Sequence, residues 1–408
     1  MLNASSGYTS ALSKPRELAF GCLFMALSGV GQTYVIAAFG SDFKAAFSLT
    51  NGNWALLFAA ATFSSALLLP VFGPLIDRVP LRFFVTSVGV GAALSCLAIA
   101  LSPTWWIFLF ALTLVRLFGL GLMLHAVNIA TLRFFPASSA SAFALLSLGS
   151  SAAQTVIPLL VVSSIQTVGW RASWLLAAIT CVAVTALAAQ LISKQISHTN
   201  TLERVATTER RAWRHPKLGN IAVALLLVPS LYTVSVVLTG LLVHQQSLAA
   251  DKGWSAAYIA GSLSVFALCQ AAVSLVFAPY IDRIGAIKLL PLLLMPLILA
   301  MLLYVFSDSI IIGAAFFGLL GISAGLDTLL NATIWRDLLG FGRVASVRSF
   351  VEGTRIILVG LAPVIIGWWL DGSVTMSIVC GGMALFAALA TALTTLVSLT
   401  SERQESLE

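Results

Sequence analysis

The sequence predicts an all-α integral membrane protein with twelve transmembrane helices, arranged as two pseudo-symmetric bundles of six helices each. Three observations lead to this prediction. The 408 residues are 59% hydrophobic and only 9% charged, whereas a soluble domain carries about 25% charged residues. The apolar residues form long runs over the whole chain, with a mean hydropathy of +1.01. Finally, two motifs of the first half return in the second half at a nearly constant spacing.

The apolar runs define the transmembrane segments. A bilayer core of about 30 Å needs roughly 20 apolar residues per helix, and lipid leaves the polar groups of an irregular backbone unsatisfied. Each run is therefore predicted to be a helix, and the even number places both termini on one side. The runs, called spans 1 to 12 in chain order, lie near residues 18–39, 54–76, 83–101, 105–130, 142–165, 172–192, 218–243, 254–278, 289–306, 310–334, 347–370 and 374–399.

A polar stretch after span 6 divides the spans six and six. It predicts an N-terminal bundle over residues 1–192, a basic linker over 193–217 and a C-terminal bundle over 218–408. Seventeen of the 22 Lys and Arg residues lie on the side of the linker and the termini, three lie on the opposite side and two lie within spans. The positive-inside rule then predicts cytoplasmic termini. We expect a multi-pass protein of the bacterial inner membrane, with no nucleic-acid partner.

The sequence contains no strong motif for an enzyme. The five cysteines lie in apolar runs without a CxxC spacing, which predicts neither a disulfide framework nor a metal site. No HExxH motif and no phosphate-binding loop occurs, so we expect no cofactor. The pentapeptide Gly321-Ile-Ser323-Ala-Gly325 matches a hydrolase nucleophile pattern and makes an intramembrane enzyme the remote alternative. A nucleophile elbow needs a strand, a turn and a helix, however, whereas this pentapeptide lies inside an apolar run.

Two motifs recur along the chain. The polar loop after span 2 (residues 73–82) resembles the one after span 8 (residues 278–288), with Pro, Ile, Asp and Arg in matching positions. The ends of spans 4 and 10 also match, as Asn128-Ile-Ala-Thr-Leu-Arg133 and Asn331-Ala-Thr-Ile-Trp-Arg336. The offsets are 205 and 203 residues, so both pairs indicate one duplication of a six-helix unit.

These motifs resemble the major facilitator superfamily, in which Gly-x-x-x-Asp-Arg-x-Gly-x-Arg follows the second helix. The resemblance covers the full length and implies a secondary transporter that works by alternating access, without a cofactor. Pro80 replaces the second signature glycine, and Ala278 replaces the first glycine of the second copy. Arg116, with its following glycines, is similar to the family's Arg-x-x-Gly-x-Gly helix. The antiporter motif of the fifth helix is not matched, which argues against a drug/proton antiporter.

The signature loops are predicted to act as gates. A carboxylate at a helix end can pair with a neighbouring helix terminus or arginine, and such a contact can hold one face of a bundle closed. The alternative is that these residues only orient the loop. The candidate gate residues are Gly73, Asp77, Arg78, Arg82, Asp282 and Arg283.

Four charged residues are predicted to lie within the membrane, where a charge costs roughly 2.5 to 3.5 kcal/mol on insertion scales. They are Arg116 near the middle of span 4, Asp327 in span 10, and Glu352 and Arg355 in span 11. Arg116 is predicted either to bind an anion or to pair structurally with an acid. Glu352 shares a helix face with Arg348 and Arg355, so these groups either neutralise one another or serve proton exchange and substrate binding.

Three residues are candidates for proton coupling: Asp327, Glu352 and His125. Asp327 heads a polar stripe with Ser323 and Asn331 at one-turn spacing, and a carboxylate in a low-dielectric environment is readily protonated. A gate latch and plain packing are the alternatives for Asp327. A lone histidine such as His125 more often makes a satisfied interhelical contact.

Polar residues also indicate where a substrate binds. Spans 9 and 12 carry no charged residue, and spans 3 and 6 carry none between their ends. This agrees with the family arrangement, in which those four face lipid and the others line or flank the cavity. A hydrogen bond between helices is the alternative for any single Ser or Gln. The predicted substrate-binding residues are Gln32, Arg116, Gln154, Tyr232, Gln270 and Arg355.

The favoured function is the proton-coupled transport of a small organic anion such as a carboxylate. Residues 253–255 and 360–363 are similar to monocarboxylate and oxalate/formate-type members. Those members carry an arginine in the eighth helix, where this chain offers Gln270, so Arg116 or Arg355 would have to bind the carboxylate. Efflux of an amphipathic compound is the alternative. We expect a monomer whose partners are its substrate, the lipid bilayer and protons.

Overall fold

The computed structural model describes residues 11–135, 139–192, 218–284, 289–339 and 344–405, for some stretches by their backbone only. Every regular element within these ranges is a helix. The predicted linker over residues 193–217 lies outside them. The chain divides into two compact units, the N unit Met1–Thr199 and the C unit Asn200–Glu408.

The described helices account for all twelve spans. Nine of them are apolar and long enough to cross a bilayer, and one of the nine, Ala142–Leu191, contains both span 5 and span 6. Span 1 is broken and span 9 is short, with an apolar helical segment over Leu290–Phe306. The prediction of an all-helical protein with twelve spans is therefore confirmed.

The N unit contains eight α-helices among its described residues. Span 6 follows span 5 without a loop, because only Gly169 departs from helical geometry, with a φ of +80°. Two 3₁₀ turns, Ser28–Gly31 and Gly73–Asp77, and a π-helical segment, Val115–Leu122, interrupt the regular structure. The α-helices are Pro15–Leu27, Thr33–Ala38, Gly40–Phe47, Asn51–Phe72, Leu81–Leu101, Trp105–Leu114, Met123–Phe134 and Ser139–Leu191.

The C unit contains seven α-helices in its described part, and a short 3₁₀ turn, Leu290–Leu292, precedes span 9. Spans 7, 8, 10, 11 and 12 are each a single helix. Pro229 and Pro363 lie inside spans 7 and 11 without ending them. The α-helices are Leu218–Val243, Gln245–Lys252, Ala256–Ile284, Met295–Phe306, Ile310–Leu339, Val344–Asp371 and Met376–Glu405.

Span 1 is not the continuous helix that its apolar run predicts. The α-helix ends at Leu27, a 3₁₀ turn covers Ser28–Gly31, and Gln32 is extended, with φ −75° and ψ 149°. Glycine lowers helix stability, and this turn contains two glycines within three residues. The corresponding positions of span 7, 205 residues later, are Val234 and Val236, and span 7 is continuous there.

A short connector helix follows the first span of each unit. The first connector is Gly40–Phe47 and the second is Gln245–Lys252, and a residue with positive φ ends each one, Ser48 at 52° and Gly253 at 66°. All of these positions are separated by 205 residues. The following helices share a cap: the hydroxyl of Thr50 accepts from the Asn53 amide, and that of Ser255 accepts from the Tyr258 amide. The duplication thus extends beyond the motifs found in the sequence.

The pentapeptide with the nucleophile pattern serves helix packing. Gly321 and Gly325 lie inside the continuous helix Ile310–Leu339. A side chain at Gly321 would collide with the backbone carbonyl of Phe266, and one at Gly325 would lie 2.8 Å from the Gln270 carbonyl oxygen. The small residues therefore let spans 8 and 10 approach closely, as small residues do in membrane bundles.

Candidate transport and coupling site

Span 4 crosses the broken part of span 1 in the N unit. A Cβ atom added at Gly31 would lie 2.7 Å from the carbonyl carbon of Gly119 and 2.7 Å from the amide nitrogen of Leu120. Both backbones are irregular at this contact, since span 4 is π-helical over Val115–Leu122. Irregular backbone at membrane depth is tolerated where it is buried in protein or lines a cavity, and π-helical segments often occur at functional sites.

Arg116 joins the two irregular segments. Its Nη1 atom donates to the Gly31 carbonyl at 2.9 Å and, more weakly, to the Thr33 hydroxyl at 3.4 Å. The guanidinium lies 5.0 Å from the centre of the Phe58 ring, in cation–π geometry. The residue is only 8% exposed. Arg116 therefore supplies a donor to a carbonyl at the break in span 1.

One donor of this guanidinium is not used. Among the described residues the buried Nε–H group of Arg116 has no hydrogen-bond partner, and no ion pair includes Arg116. In the described part of the chain the partners of Arg116 are a backbone carbonyl, a hydroxyl and an aromatic ring. Anion binding and pairing with an acid both stay predictions.

In the C unit, spans 7 and 10 meet at Asp327, which is 6% exposed. Its Oδ2 atom accepts from the Ser235 hydroxyl at 3.1 Å, and its Oδ1 atom accepts from the Asn331 amide at 2.7 Å. The same Asn331 amide also donates to the Leu231 carbonyl across the helix pair, at 3.4 Å. The predicted stripe of Ser323, Asp327 and Asn331 is thus fully buried, and Ser235 of span 7 contacts it.

The other predicted substrate residues occupy separate places. The Tyr232 hydroxyl is buried and hydrogen-bonds with that of Thr354 at 2.7 Å, which joins spans 7 and 11. Gln32 is half-buried at the break in span 1. The remaining three, in spans 5, 8 and 11, are also half-buried: Gln154, Gln270 and Arg355. The backbone of Glu352 lies in the helix Val344–Asp371, and its side chain is outside the described residues.

The signature loop after span 2 contains an ion pair. Asp77 ends the 3₁₀ turn Gly73–Asp77 and accepts from Arg133 at 2.8 Å, with side chains 49% and 22% exposed. Arg133 also donates to the Ile76 carbonyl at 3.3 Å. Arg78 and Arg82 are exposed. The side chains of Asp282 and Arg283, at the end of span 8, lie outside the described residues.

Two further contacts lie near this loop. One joins the predicted residues Gly73 and His125, and the other is made by Lys14, which the sequence analysis did not single out. A Cβ at Gly73 would lie 3.5 Å from the His125 Nε2 atom, an ordinary van der Waals distance, so the turn packs against His125 of span 4 without requiring a glycine for space. Lys14, before span 1, donates to the Phe134 carbonyl at 2.7 Å and caps the end of span 4. Cations stabilise helix C-termini.

Three residues that contact the predicted site residues were not predicted from the sequence: Arg133, Ser235 and Lys14. Arg133 had a signal, because it ends the repeated motif Asn128–Arg133, yet the sequence did not show that it pairs with Asp77. Ser235 and Lys14 had none, since an isolated Ser in an apolar run or a Lys before one is common. Only the packing of spans 7 and 10, and of spans 1 and 4, gives them partners.

Comparison with known proteins agrees with this geometry. A family model described as the Major Facilitator Superfamily matches residues 21–248, more than half of the chain. No curated protein sequence matches it.

Solved structures of similar fold are also transporters. A bacterial homologue of the human lysosomal transporter Spinster, inward-facing and unoccupied, has a TM-score of 0.70 at 15% identity, with 95% of this chain and 97% of that chain covered. The nucleoside transporter NupG has a TM-score of 0.65 at 10% identity, with 94% and 98% covered. The chain therefore belongs to the major facilitator superfamily and is a multi-pass membrane transporter rather than an enzyme.

Proposed function

We propose that this protein is a proton-coupled secondary transporter of a small organic anion, and that Asp327 carries the coupling proton. The observation that supports this most strongly is the buried cluster around Asp327, where a carboxylate joins the two spans that line the cavity in this family. Both hydrogen bonds described above come from neutral donors, Ser235 and Asn331. Ionisable residues within transmembrane segments are the groups from which proton relays of pumps and transporters are built.

The anionic character of the substrate rests on Arg116. A buried cation is costly unless it is compensated, and the Nε atom of Arg116 has no hydrogen-bond partner within the described part of the chain. A substrate carboxylate would supply both the missing acceptor and the compensating charge. Gln32, at the break next to Gly31, is placed to add a polar contact, and Arg355 is the second cationic candidate. A monocarboxylate-type substrate is the narrower form of this proposal.

Asp77 and Arg133 form the proposed gate, because the pair joins the loop after span 2 to the end of span 4. We propose a monomer in the bacterial inner membrane, with both termini cytoplasmic, since the basic residues concentrate on that side.

The test of coupling begins with the substrate. Binding to the purified protein is screened by thermal shift across carboxylates, nucleosides, sugars, amino acids and drugs at two pH values. The best ligand is then assayed in proteoliposomes. The Asp327→Asn variant should lose accumulation driven by a pH gradient yet keep substrate exchange, because exchange does not require the carrier to release its proton.

The competing variant is Glu352→Gln, because Glu352 is the other carboxylate predicted to carry the proton. If Asp327 is the carrier, Glu352→Gln should keep accumulation driven by the pH gradient but lower stability or ligand affinity. If the Asp327→Asn protein still concentrates the ligand, the coupling assignment is wrong. If only neutral or cationic ligands bind, the anion proposal is wrong whatever the coupling assay shows.

The gate is tested separately. Asp77→Asn should slow transport while ligand affinity stays within a few-fold, because a gate contact shifts the conformational equilibrium without touching the substrate. Binding by thermal shift and initial transport rates give the two quantities. An equal loss of binding would place Asp77 in the substrate site instead.

A further inference from the structure

Both hydrogen bonds of the Arg116 side chain come from one nitrogen. Within the described ranges Nη1 donates to the Gly31 carbonyl at 2.9 Å and to the Thr33 hydroxyl at 3.4 Å, and neither Nε nor Nη2 donates to any residue. Nη1 carries two N–H groups, so these two acceptors account for both of them. The donors that remain are the N–H groups of Nε and Nη2.

The remaining donors form one edge of the guanidinium. A guanidinium is planar and rigid, and it can present two parallel N–H groups to a carboxylate either from Nε and Nη2, at its side, or from Nη1 and Nη2, at its end. The contacts of Nη1 with span 1 leave only the side. A carboxylate that binds Arg116 with two parallel hydrogen bonds must therefore approach Nε and Nη2.

Phe58 of span 2 covers one face of this guanidinium. Two hydrogen bonds from a single nitrogen fix one corner of the group but let the rest of it turn about that corner. The centre of the Phe58 ring lies 5.0 Å from Cζ of Arg116, in cation–π geometry, and Phe58 is only 1% exposed. The ring also lies against that of Trp54, with centres 6.1 Å apart. Because a contact on the face of the guanidinium restricts its turning, the direction of the Nε/Nη2 edge depends on Phe58.

Packing alone is the alternative role of Phe58. A buried aromatic ring fills the space between spans whatever the charge on its face, whereas a cation–π contact depends on the negative charge of that face. Fluorine atoms on the ring edge withdraw electrons from the face and change the size of the ring little. The two roles therefore predict different responses to fluorination.

We propose that Phe58 is a positioning residue of the substrate site, and that it directs the Nε/Nη2 edge of Arg116 at a substrate carboxylate, which binds side-on. This inference rests on the proposed anion binding at Arg116 and adds its geometry. The geometry favours a carboxylate over its amide and over chloride, because only the carboxylate offers two charged acceptors. Nε is buried in this conformation, so the carboxylate binds when the site opens, as alternating access provides.

The test is thermal unfolding of the purified full-length protein with acetate, lactate and benzoate as probes, at constant ionic strength. A ligand that binds only the folded state raises the unfolding temperature with its concentration. We expect at least one of these carboxylates to raise it, and the matching amides and chloride not to do so. Arg116→Lys keeps the charge but not the planar fork, so the carboxylate concentration for half of the rise should increase at least tenfold.

Phe58 is then replaced by phenylalanine with one, two or three fluorine atoms on the ring. The carboxylate concentration for half of the rise should increase with each fluorine, by roughly two- to thirty-fold in total, which is the strength of a cation–π contact expressed as an affinity ratio. The matched control is the same series at Phe108, a fully buried ring of the same unit that packs against Phe43 and Trp54. There the carboxylate response should stay unchanged.

The outcomes separate the positioning role from anion binding. If the Phe58 series leaves the concentration unchanged while Arg116→Lys raises it, the positioning role falls and anion binding at Arg116 stands. An equal effect of both fluorine series would assign the loss to packing and would also overturn the positioning role. Equal responses to a carboxylate and its amide would overturn side-on binding. If no carboxylate raises the unfolding temperature, anion binding falls and the positioning role falls with it.

Discussion

In both units a charged side chain of the fourth span contacts the first span, but it is an arginine in the N unit and an aspartate in the C unit. In the N unit, Arg116 of span 4 donates to the Gly31 carbonyl of span 1. In the C unit, Asp327 of span 10 accepts from the Ser235 hydroxyl of span 7. The duplication therefore preserved the crossing and changed its chemistry. This difference places a buried arginine at the crossing in one unit and a buried aspartate in the other.

The backbone at the crossing differs for the same reason. A cation needs acceptors, and the break in span 1 exposes a carbonyl at Gly31 to Arg116. An anion needs donors, which the side chains of Ser235 and Asn331 supply without any break in span 7. The first span is thus broken in the unit with the buried arginine and continuous in the unit with the buried aspartate.

The connectors show a second contrast. The first connector is packed by aromatic rings: the Phe43 ring lies 4.5 Å from that of Phe108 and 5.6 Å from that of Trp54, centre to centre. The second connector is held by polar contacts. The Tyr304 hydroxyl donates to the Leu248 carbonyl and to Asp251, both at 3.0 Å. Two connector helices at corresponding positions are therefore stabilised differently, one by aromatic packing and the other by hydrogen bonds.

The largest effect is expected at the crossing of spans 1 and 4. In Gly31→Ala the new methyl group would lie 2.7 Å from two backbone atoms of span 4, which cannot move as a side chain does. Overpacking typically costs 1 to 3 kcal/mol, so we expect a destabilisation of about that size and a loss of transport. Thermal unfolding and transport rate measure both.

The control for this variant is Gly261→Ala in span 8, where a Cβ would have nothing within 4 Å. It should raise stability by roughly 0.5 to 1 kcal/mol, because alanine favours a helix interior over glycine. If Gly31→Ala is as stable as the wild type, the contact between spans 1 and 4 is looser than described and the contrast with span 7 loses its basis.

A smaller effect is expected at the second connector. Tyr304→Phe removes the one hydroxyl proton that Leu248 and Asp251 share and keeps the ring, so it should lower stability by about 0.5 to 1.5 kcal/mol. Ser377, which donates to the same oxygen of Asp251 at 2.8 Å, offers a second variant. The double variant of Tyr304→Phe and Ser377→Ala should show a non-additive loss in thermal unfolding, since the two share a partner. Additive losses would argue against one shared network.

The smallest effect is expected for Asp308→Asn. Lys252 donates to Asp308 at 2.6 Å, with side chains 4% and 90% exposed. Exposed pairs contribute about 0.2 to 1 kcal/mol and are screened by salt. The loss should therefore be measurable at low ionic strength and vanish at high ionic strength. A loss that persists in high salt would show that the second connector depends on this pair more than on Tyr304.

The sequence alone determined the class of protein. Apolar runs of the length of a bilayer have one stable solution, the helix, so composition and run length predicted the twelve spans. The loop motif indicated the superfamily through its resemblance to the family signature, and its recurrence from Asp77 to Asp282 indicated a duplication. The buried stripe around Asp327 followed from helical periodicity, since residues four apart share a face. These are properties of single helices, which is why the sequence suffices for them.

Only the tertiary structure decided the partners. The two glycines of the turn Ser28–Gly31 weaken the helix, but the partners that the break meets, Arg116 and Gly119, come from another span and cannot be read from the apolar run. The same holds for the pairing of Asp77 with Arg133 and of Asp327 with Ser235, whose residues are 56 and 92 positions apart. The connectors matched only in their geometry, since their residue types differ. In lipid, spans are held together by packing and by hydrogen bonds between particular atoms, and both depend on which helix faces point at one another.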